Sequence, residues 1–230
     1  MKKYKHLFFD LDHTLWDFAV NEKNTLQQLY EKHNLNRFFS TFDNFFEVYL
    51  PVNLGLWNDY RNGIITKEIV KINRFYDTFR SVGYEDEKFA QQFANEFVVL
   101  SPMQTKLIPN TLEVLDYLFL KYNMHIITNG FCEVQYVKLE KSGLRPYFKH
   151  IFISEEIGYQ KPDVEFFDYA IKTSNATKNE SLVIGDNLEV DILGSKNSGI
   201  DHVYYNPDKI PHEELIFKEI SSLLELKTFL

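Results

Sequence analysis

Two aspartates, Asp10 and Asp12, stand two residues apart directly after the apolar run Leu7-Phe-Phe. On an extended strand that spacing puts both side chains on one side. Two carboxylates so close repel each other, and a hard divalent cation such as Mg2+ is the partner that carboxylate oxygens attract. Three later stretches carry chemistry that complements the pair: Thr128-Asn-Gly130, Lys161-Pro162 and Gly185-Asp-Asn-Leu-Glu-Val-Asp191. Together they offer two more aspartates, Asp186 and Asp191, with an ammonium, a hydroxyl and backbone N–H groups. That set suits phosphoryl transfer, where the transferred group is anionic and catalysis rests on positioning and charge neutralisation. A carboxylate can attack phosphorus, and a second carboxyl can protonate the leaving oxygen and later activate water. Mg2+ would sit on Asp10 and Asp186 with a backbone oxygen near Asp12, while Thr128, backbone N–H groups and Lys161 would hold the phosphoryl oxygens. Each stretch alone also reads as an ordinary turn or helix start. Their order along the chain is what joins them.

The elements expected around these residues put them on one rim. A first strand spans residues 5–10. From 110 onward strands and helices alternate: helix 111–121, strand 123–128, helix 131–142 closed by Gly143, strand 150–154, helix 163–174, strand 182–185, helix 188–198 closed by Gly199, strand 201–205 and a final helix 213–227. Such alternation predicts an α/β fold, a doubly wound parallel sheet of Rossmann-like type, with ligands bound beyond the carboxyl ends of its strands. Residues 16–102 differ. Apolar residues recur there at helical spacing: Leu26, Leu29 and Tyr30; Phe42, Phe45, Phe46 and Tyr49; Ile65, Ile69, Ile72, Phe75, Tyr76 and Phe79; Phe89, Phe93, Phe97 and Leu100. This predicts an inserted helical bundle at 16–102, between the two parts (1–15 and 103–230) of a discontinuous core domain. Pro51 is expected to kink or end the second of its helices.

Composition narrows the function classes. The 230-residue chain is 44% hydrophobic, as folded domains are, and its net charge of −8 opposes binding to nucleic acid polymers or anionic membranes through bulk charge. A small phosphorylated metabolite remains compatible with that charge. The single cysteine, Cys132, excludes an intrachain disulfide and reads as a small half-buried helix residue, with a reactive thiol as the sharper alternative. Lys2, Lys3 and Lys5 before Leu7 do not make a signal peptide, because Asp10 and Asp12 interrupt too short an apolar run. With no run long enough to span a membrane, a cytoplasmic protein, monomer or homodimer, is expected. The seven histidines show no zinc spacing. Phe18, Trp57, Tyr60 and Arg61 are candidates to touch a substrate's base or sugar, though aromatic residues at helical spacing read as packing.

The four stretches, in this order, resemble the motifs of the haloacid dehalogenase superfamily, and the helical block resembles that family's type 1 cap, a lid expected to close over substrate. The resemblance implies that Asp10 is a nucleophile forming an aspartyl-phosphate and that Asp12 is the general acid/base. It implies that Thr128, Asn129, Gly130 and Lys161 bind the phosphoryl group. Asp10, Asp12 (through its carbonyl) and Asp186 would hold Mg2+, with Asn187 and Asp191 supporting the metal from nearby. The family's true dehalogenases attack carbon, use no Mg2+ and do not carry an aspartate at the second position, so Asp12 points to phosphatase chemistry. Asn129-Gly-Phe-Cys-Glu-Val-Gln135, Lys138-Leu-Glu-Lys-Ser-Gly-Leu144, Ile153-Ser-Glu-Glu-Ile-Gly158 and Leu56-Trp-Asn-Asp-Tyr-Arg-Asn-Gly63 are similar to the pyrimidine 5′-nucleotidase subgroup. The expected substrate is therefore a nucleoside monophosphate. The alternatives are a phosphoglycolate or sugar-phosphate phosphatase, a phosphomutase, or a non-catalytic module that binds phosphorylated ligands.

Overall fold

The computed structural model describes residues 3–230, so Lys2 lies outside it. In chain order the elements are β1 (His6–Phe9), α1 (Phe18–Lys32), α2 (Phe42–Arg61), α3 (Lys67–Arg80), α4 (Glu87–Leu100), α5 (Thr111–Phe119), β2 (Asn123–Thr128), α6 (Cys132–Lys141), β3 (His150–Ile153), α7 (Ser154–Ile157), α8 (Val164–Thr173), β4 (Ser181–Gly185), a π-helical segment (Leu188–Leu193), α9 (Gly194–Asn197), β5 (Asp201–Tyr205), β6 (Lys218–Ile220) and a closing 3-10 helix (Leu223–Thr228). By contacts the chain divides into two compact units: residues up to Phe18 with Thr105–Leu230, and Ala19–Gln104. No helix among the described residues is long and apolar enough to cross a membrane.

The first unit is the expected α/β sheet. Its strands run β3-β2-β1-β4-β5-β6, every neighbouring pair parallel. A parallel sheet is covered on both faces, so its central strands carry apolar residues on both sides. Leu7 and Phe9 pack on one face with Met124, Ile126, Leu182 and Ile184. Phe8 packs on the other with Ile127, Phe152, Phe166 and Val183. Strand order reverses between β1 and β4, which opens a crevice beyond their carboxyl ends. Asp10 follows β1 and Asp186 follows β4 at that point, and Asp10 N–H still donates to Ile184 O at 2.9 Å.

Three expectations for the elements are corrected. The C-terminal stretch 213–227 is not one helix: Lys218–Ile220 adds β6 to β5 in parallel, with Val203 opposite Lys218. The unpaired edge of β5 takes hydrogen bonds that a modest helical pattern did not outweigh. A reciprocal cap then starts the 3-10 helix, with Ser222 and Glu225 satisfying each other's backbone groups. Residues 188–198 divide into the π-helical segment and α9. Finally, α2 does not end at Pro51 but runs through it to Arg61. Proline removes one N–H bond and leaves the Glu47 carbonyl without its usual donor, but Glu47 and Pro51 are both exposed, so water can replace it.

The second unit, α1 to α4, is built on ring packing. Phe93 is fully buried, with its ring centroid 4.9 Å from that of Phe75 and 5.3 Å from that of Phe79. The buried side of α3 is Val70, Arg74, Phe75, Thr78 and Phe79, while Ile69 of the expected stripe is exposed. Trp57 and Tyr60, half-buried on α2, meet edge to face at 5.7 Å.

On the sheet, His6, His125 and His150 stack across β1, β2 and β3, with ring centroids 5.4 and 5.3 Å apart. Burial, reinforced by His6, His150 and Lys149, lowers the pKa of His125 to about 3. Unfolded, His125 binds a proton near pH ~6.5. The unfolded state therefore holds more protons between these values, and stability is lost as pH falls through that window. Replacing His125→Phe should flatten the fall in urea midpoint between about pH 7 and about pH 4.5. Phe93→Ala, which empties the centre of the helical unit, should cost about 3–5 kcal/mol in the same measurement.

Candidate active site

Lys161 lies at the centre of the rim and is almost entirely buried, 1% exposed. Its Nζ donates to Asp10 Oδ1 at 2.7 Å, Asp191 Oδ1 at 2.6 Å and Ile127 O at 3.1 Å. Burial alone would favour the neutral amine, but the two carboxylates outweigh it and hold the ammonium charged, with its pKa above the ordinary lysine value. The backbone of Lys161 is fixed by Asn129, whose Nδ2 donates to Lys161 O at 2.7 Å and whose Oδ1 accepts from Lys161 N–H at 2.9 Å. Asn129, expected on the substrate side of the rim, thus also clamps the Lys161 backbone with both ends of its amide. The peptide bond from Lys161 to Pro162 is cis.

Asp186 and Asp191 come from the end of β4 and the segment after it. Asn187 Oδ1 accepts from Glu189 N–H at 3.1 Å and Val190 N–H at 2.9 Å, capping that segment. The π-helical turn then brings Asp191 back, so that its Oδ2 accepts from Asn187 N–H at 3.1 Å. Gly185 permits this approach: a Cβ there would fall 2.4 Å from Asp191 Oδ2. Asp191 thus has a protein donor on each oxygen, Lys161 on one and Asn187 on the other.

Carboxylate oxygens of Asp10, Asp186 and Asp191 lie within 4.8 Å of one another. Thr14 Oγ1 sits 2.9 Å from Asp186 Oδ1 and 3.3 Å from Asp10 Oδ2, and its one proton serves one of them at a time. Burial first, then repulsion from Asp191 and Asp186, raises the pKa of Asp10 well above the carboxylate range despite Lys161. Burial and Asp191 raise Asp186 to about 7, against the Thr14 hydrogen bond. These oxygens are short of positive charge. An all-oxygen donor set in that condition fits a hard divalent cation, with Asp10 and Asp186 the carboxylates less engaged by protein donors.

Asp12 does not join this cluster with its carboxylate. Its Oδ1 and Oδ2 accept from Lys138 Nζ at 2.7 and 2.9 Å, and Oδ2 also from Gln135 Nε2 at 2.9 Å. The two aspartates expected to crowd together are thus divided between two buried lysines. The chain makes a tight turn after them, with Leu15 and Trp16 N–H both donating to Leu11 O. His13, exposed and in the left-handed region at φ 67°, occupies that turn. Thr128 Oγ1 accepts from Gly130 N–H and Gln135 Nε2, each at 3.1 Å. Both lone pairs are then filled, so the Thr128 hydroxyl proton is left to donate, as binding of an anion requires.

Gln135 and Lys138 were not singled out from the sequence for a role. The available signal was their spacing, three apart on the buried side of α6 beside Leu139, where polar side chains need partners. Cys132 is half-buried at the start of the same helix, and its thiol donates to Glu156 Oε1 at 3.0 Å. That bond, with burial and the surrounding glutamates, pushes the thiol up to about 11, so Cys132 is the inert alternative and not a nucleophile.

Comparison with known proteins agrees with this geometry. The chain is 35% identical over 206 residues to pyrimidine 5′-nucleotidase PynA of Streptococcus pneumoniae, covering 89% of this chain and 84% of that one. It is 34% identical over 232 residues to pyrimidine 5′-nucleotidase YjjG of Escherichia coli, covering 99% and 98%. A crystal structure of the HAD-hydrolase YfnB from Bacillus subtilis, bound to magnesium and revealing interdomain movement, aligns with a TM-score of 0.89 at 32% identity, covering 99% of this chain and 98% of that one. Residues 7–205 match the family described as haloacid dehalogenase-like hydrolase, and the chain belongs to that family.

Proposed function

We propose that this protein is a Mg2+-dependent phosphatase that cleaves small phosphate monoesters through an aspartyl-phosphate on Asp10. Its substrates are pyrimidine nucleoside 5′-monophosphates. The observation that carries the chemistry is the division of the two aspartates: Asp10 in a buried carboxylate cluster beside Lys161, Asp12 apart from it under Lys138 and Gln135. Two carboxyl groups in such different settings suit two different tasks. The nucleotide preference is supported by similarity to two pyrimidine 5′-nucleotidases along most of the chain.

In this reading a carboxylate oxygen of Asp10 attacks phosphorus and the ester P–O bond breaks. Asp12 gives its proton to the departing alkoxide oxygen. In the second half Asp12 takes a proton from water, whose oxygen attacks the phosphorus of the aspartyl-phosphate. The bond to Asp10 breaks and inorganic phosphate leaves. Thr128 donates its hydroxyl proton to a phosphoryl oxygen, and Lys161 offsets negative charge there while favouring the ionised form of Asp10 against burial and the neighbouring carboxylates. Asp10 and Asp186, with the Asp12 carbonyl, would hold Mg2+, which when bound neutralises charge on the carboxylates and the phosphoryl group. Asp191 and Asn187 support it indirectly, by fixing Lys161 and the segment after β4.

Asp10→Asn should lower kcat by at least about a thousandfold, with circular dichroism unchanged; a fully active mutant would remove the nucleophile assignment. In a panel of phosphate esters, UMP and dTMP should exceed phosphoglycolate and hexose phosphates in kcat/KM, and the reverse order would defeat the nucleotidase reading. The metal has a readout independent of turnover. The folded-state pKa values of Asp10 and Asp186 are raised above their unfolded values near ~4. Their stabilising contribution is complete below that pH and lost as pH rises, through about 7 for Asp186. Metal-free Tm should therefore fall from about pH 5.5 to about pH 8, and the Tm rise on adding Mg2+ should be larger at the higher pH.

A further inference from the structure

Lys138 is buried, 3% exposed, at a cost that a lysine serving only as a helix residue would avoid by reaching solvent. Its Nζ lies 4.4 Å from the Trp16 ring centroid and 5.2 Å from that of Phe18, and it donates to both oxygens of Asp12. Gln135, fully buried one turn earlier, reaches Asp12 Oδ2 and Thr128 Oγ1 with the same Nε2, at 2.9 and 3.1 Å. Asp12 only accepts when ionised, so the amide nitrogen, not the oxygen, must face it. One side chain thus ties the Asp12 carboxylate to the hydroxyl beside the Asp10 cluster. Gly130 makes room for it: a Cβ there would fall 1.5 Å from Gln135 Nε2.

We propose that Lys138 and Gln135 are positioning residues for proton transfer, which hold the Asp12 carboxyl at one place relative to Thr128, and hence to the oxygen leaving phosphorus. The inference rests on the reading of Asp12 as the acid/base. An acid displaced by about 1 Å loses on the order of a hundredfold in rate, so a carboxyl near the end of a turn needs such a hold. It also gives Gly130 a definite task, to let Gln135 pass.

The leaving group provides the test. A nucleoside monophosphate expels an alkoxide that needs a proton, whereas p-nitrophenyl phosphate expels a stable phenolate that does not. The quantity to compare is kcat/KM, which reports steps through cleavage of the ester bond. Lys138→Met keeps an apolar stem against Trp16 and Phe18. It should lower kcat/KM for UMP by about a hundredfold and for p-nitrophenyl phosphate by less than about threefold. Gln135→Met, and Gly130→Ala through displacement of Gln135, should give the same split in weaker form. Asp12→Asn is the reference and should show the split at least as strongly. If Asp12→Asn depresses both esters equally, the acid/base reading of Asp12 fails. If Asp12→Asn shows the split but Lys138→Met and Gln135→Met depress both esters equally, or neither, positioning by these residues is overturned. Should Lys138→Met fail to fold by circular dichroism, Gln135→Met and Gly130→Ala decide the matter on the same ratio.

Discussion

The ammonium of Lys161, buried between Asp10 and Asp191, is the interaction on which the rest of the site depends. Three carboxyl side chains, of Asp10, Asp186 and Asp191, converge there, and without a buried cation their repulsion would oppose that arrangement. Burying a lysine is itself costly, so the fold surrounds this one with support. Asn129 holds its backbone at two points, Ile127 O takes a third N–H, and the π-helical turn delivers Asp191 to its side. Removing one partner would leave a buried charge unpaired, which makes the cluster mutually dependent.

Lys138 repeats that solution for the other aspartate. Asp10 and Asp12 are neighbours in sequence and bear like charges, yet each has its own buried lysine, one from the loop after β3 and one from α6. The separation lets one carboxyl remain a charged attacking group while the other handles protons. Two glycines make the arrangement sterically possible. Gly185 admits Asp191 and Gly130 admits Gln135, and in each case a methyl group would occupy the position of the side chain that passes.

The helical unit depends on a different constraint. Its centre is a set of phenylalanine and tyrosine rings, and its buried polar groups include Glu22, whose Oε1 accepts from Tyr49 OH at 2.7 Å and Asn53 Nδ2 at 3.3 Å. Ring packing supplies large buried area with few rotamers to immobilise, which suits a small unit inserted in a larger fold.

Sequence by itself determined the parallel sheet, the inserted helices and the four stretches of the rim. These depend on local pattern: apolar strands of four to six residues, helical spacing of phenylalanines, and motifs whose members lie within seven positions of each other. Tertiary structure decided what depends on long separations. Lys138 meets Asp12 across 126 positions and Gln135 meets it across 123, so their role had no local sign beyond two polar residues on a buried helix face. The clamp of Asn129 on the Lys161 backbone was equally hidden, since its partner is 32 positions away. The stretch 213–227 carried a helical pattern, but the open edge of β5 claimed part of it, since an unpaired strand edge offers hydrogen bonds that a sequence pattern does not display. Pro51 stands inside α2 where Glu47 and Pro51 are both exposed, a matter of exposure that only the packed helix settles.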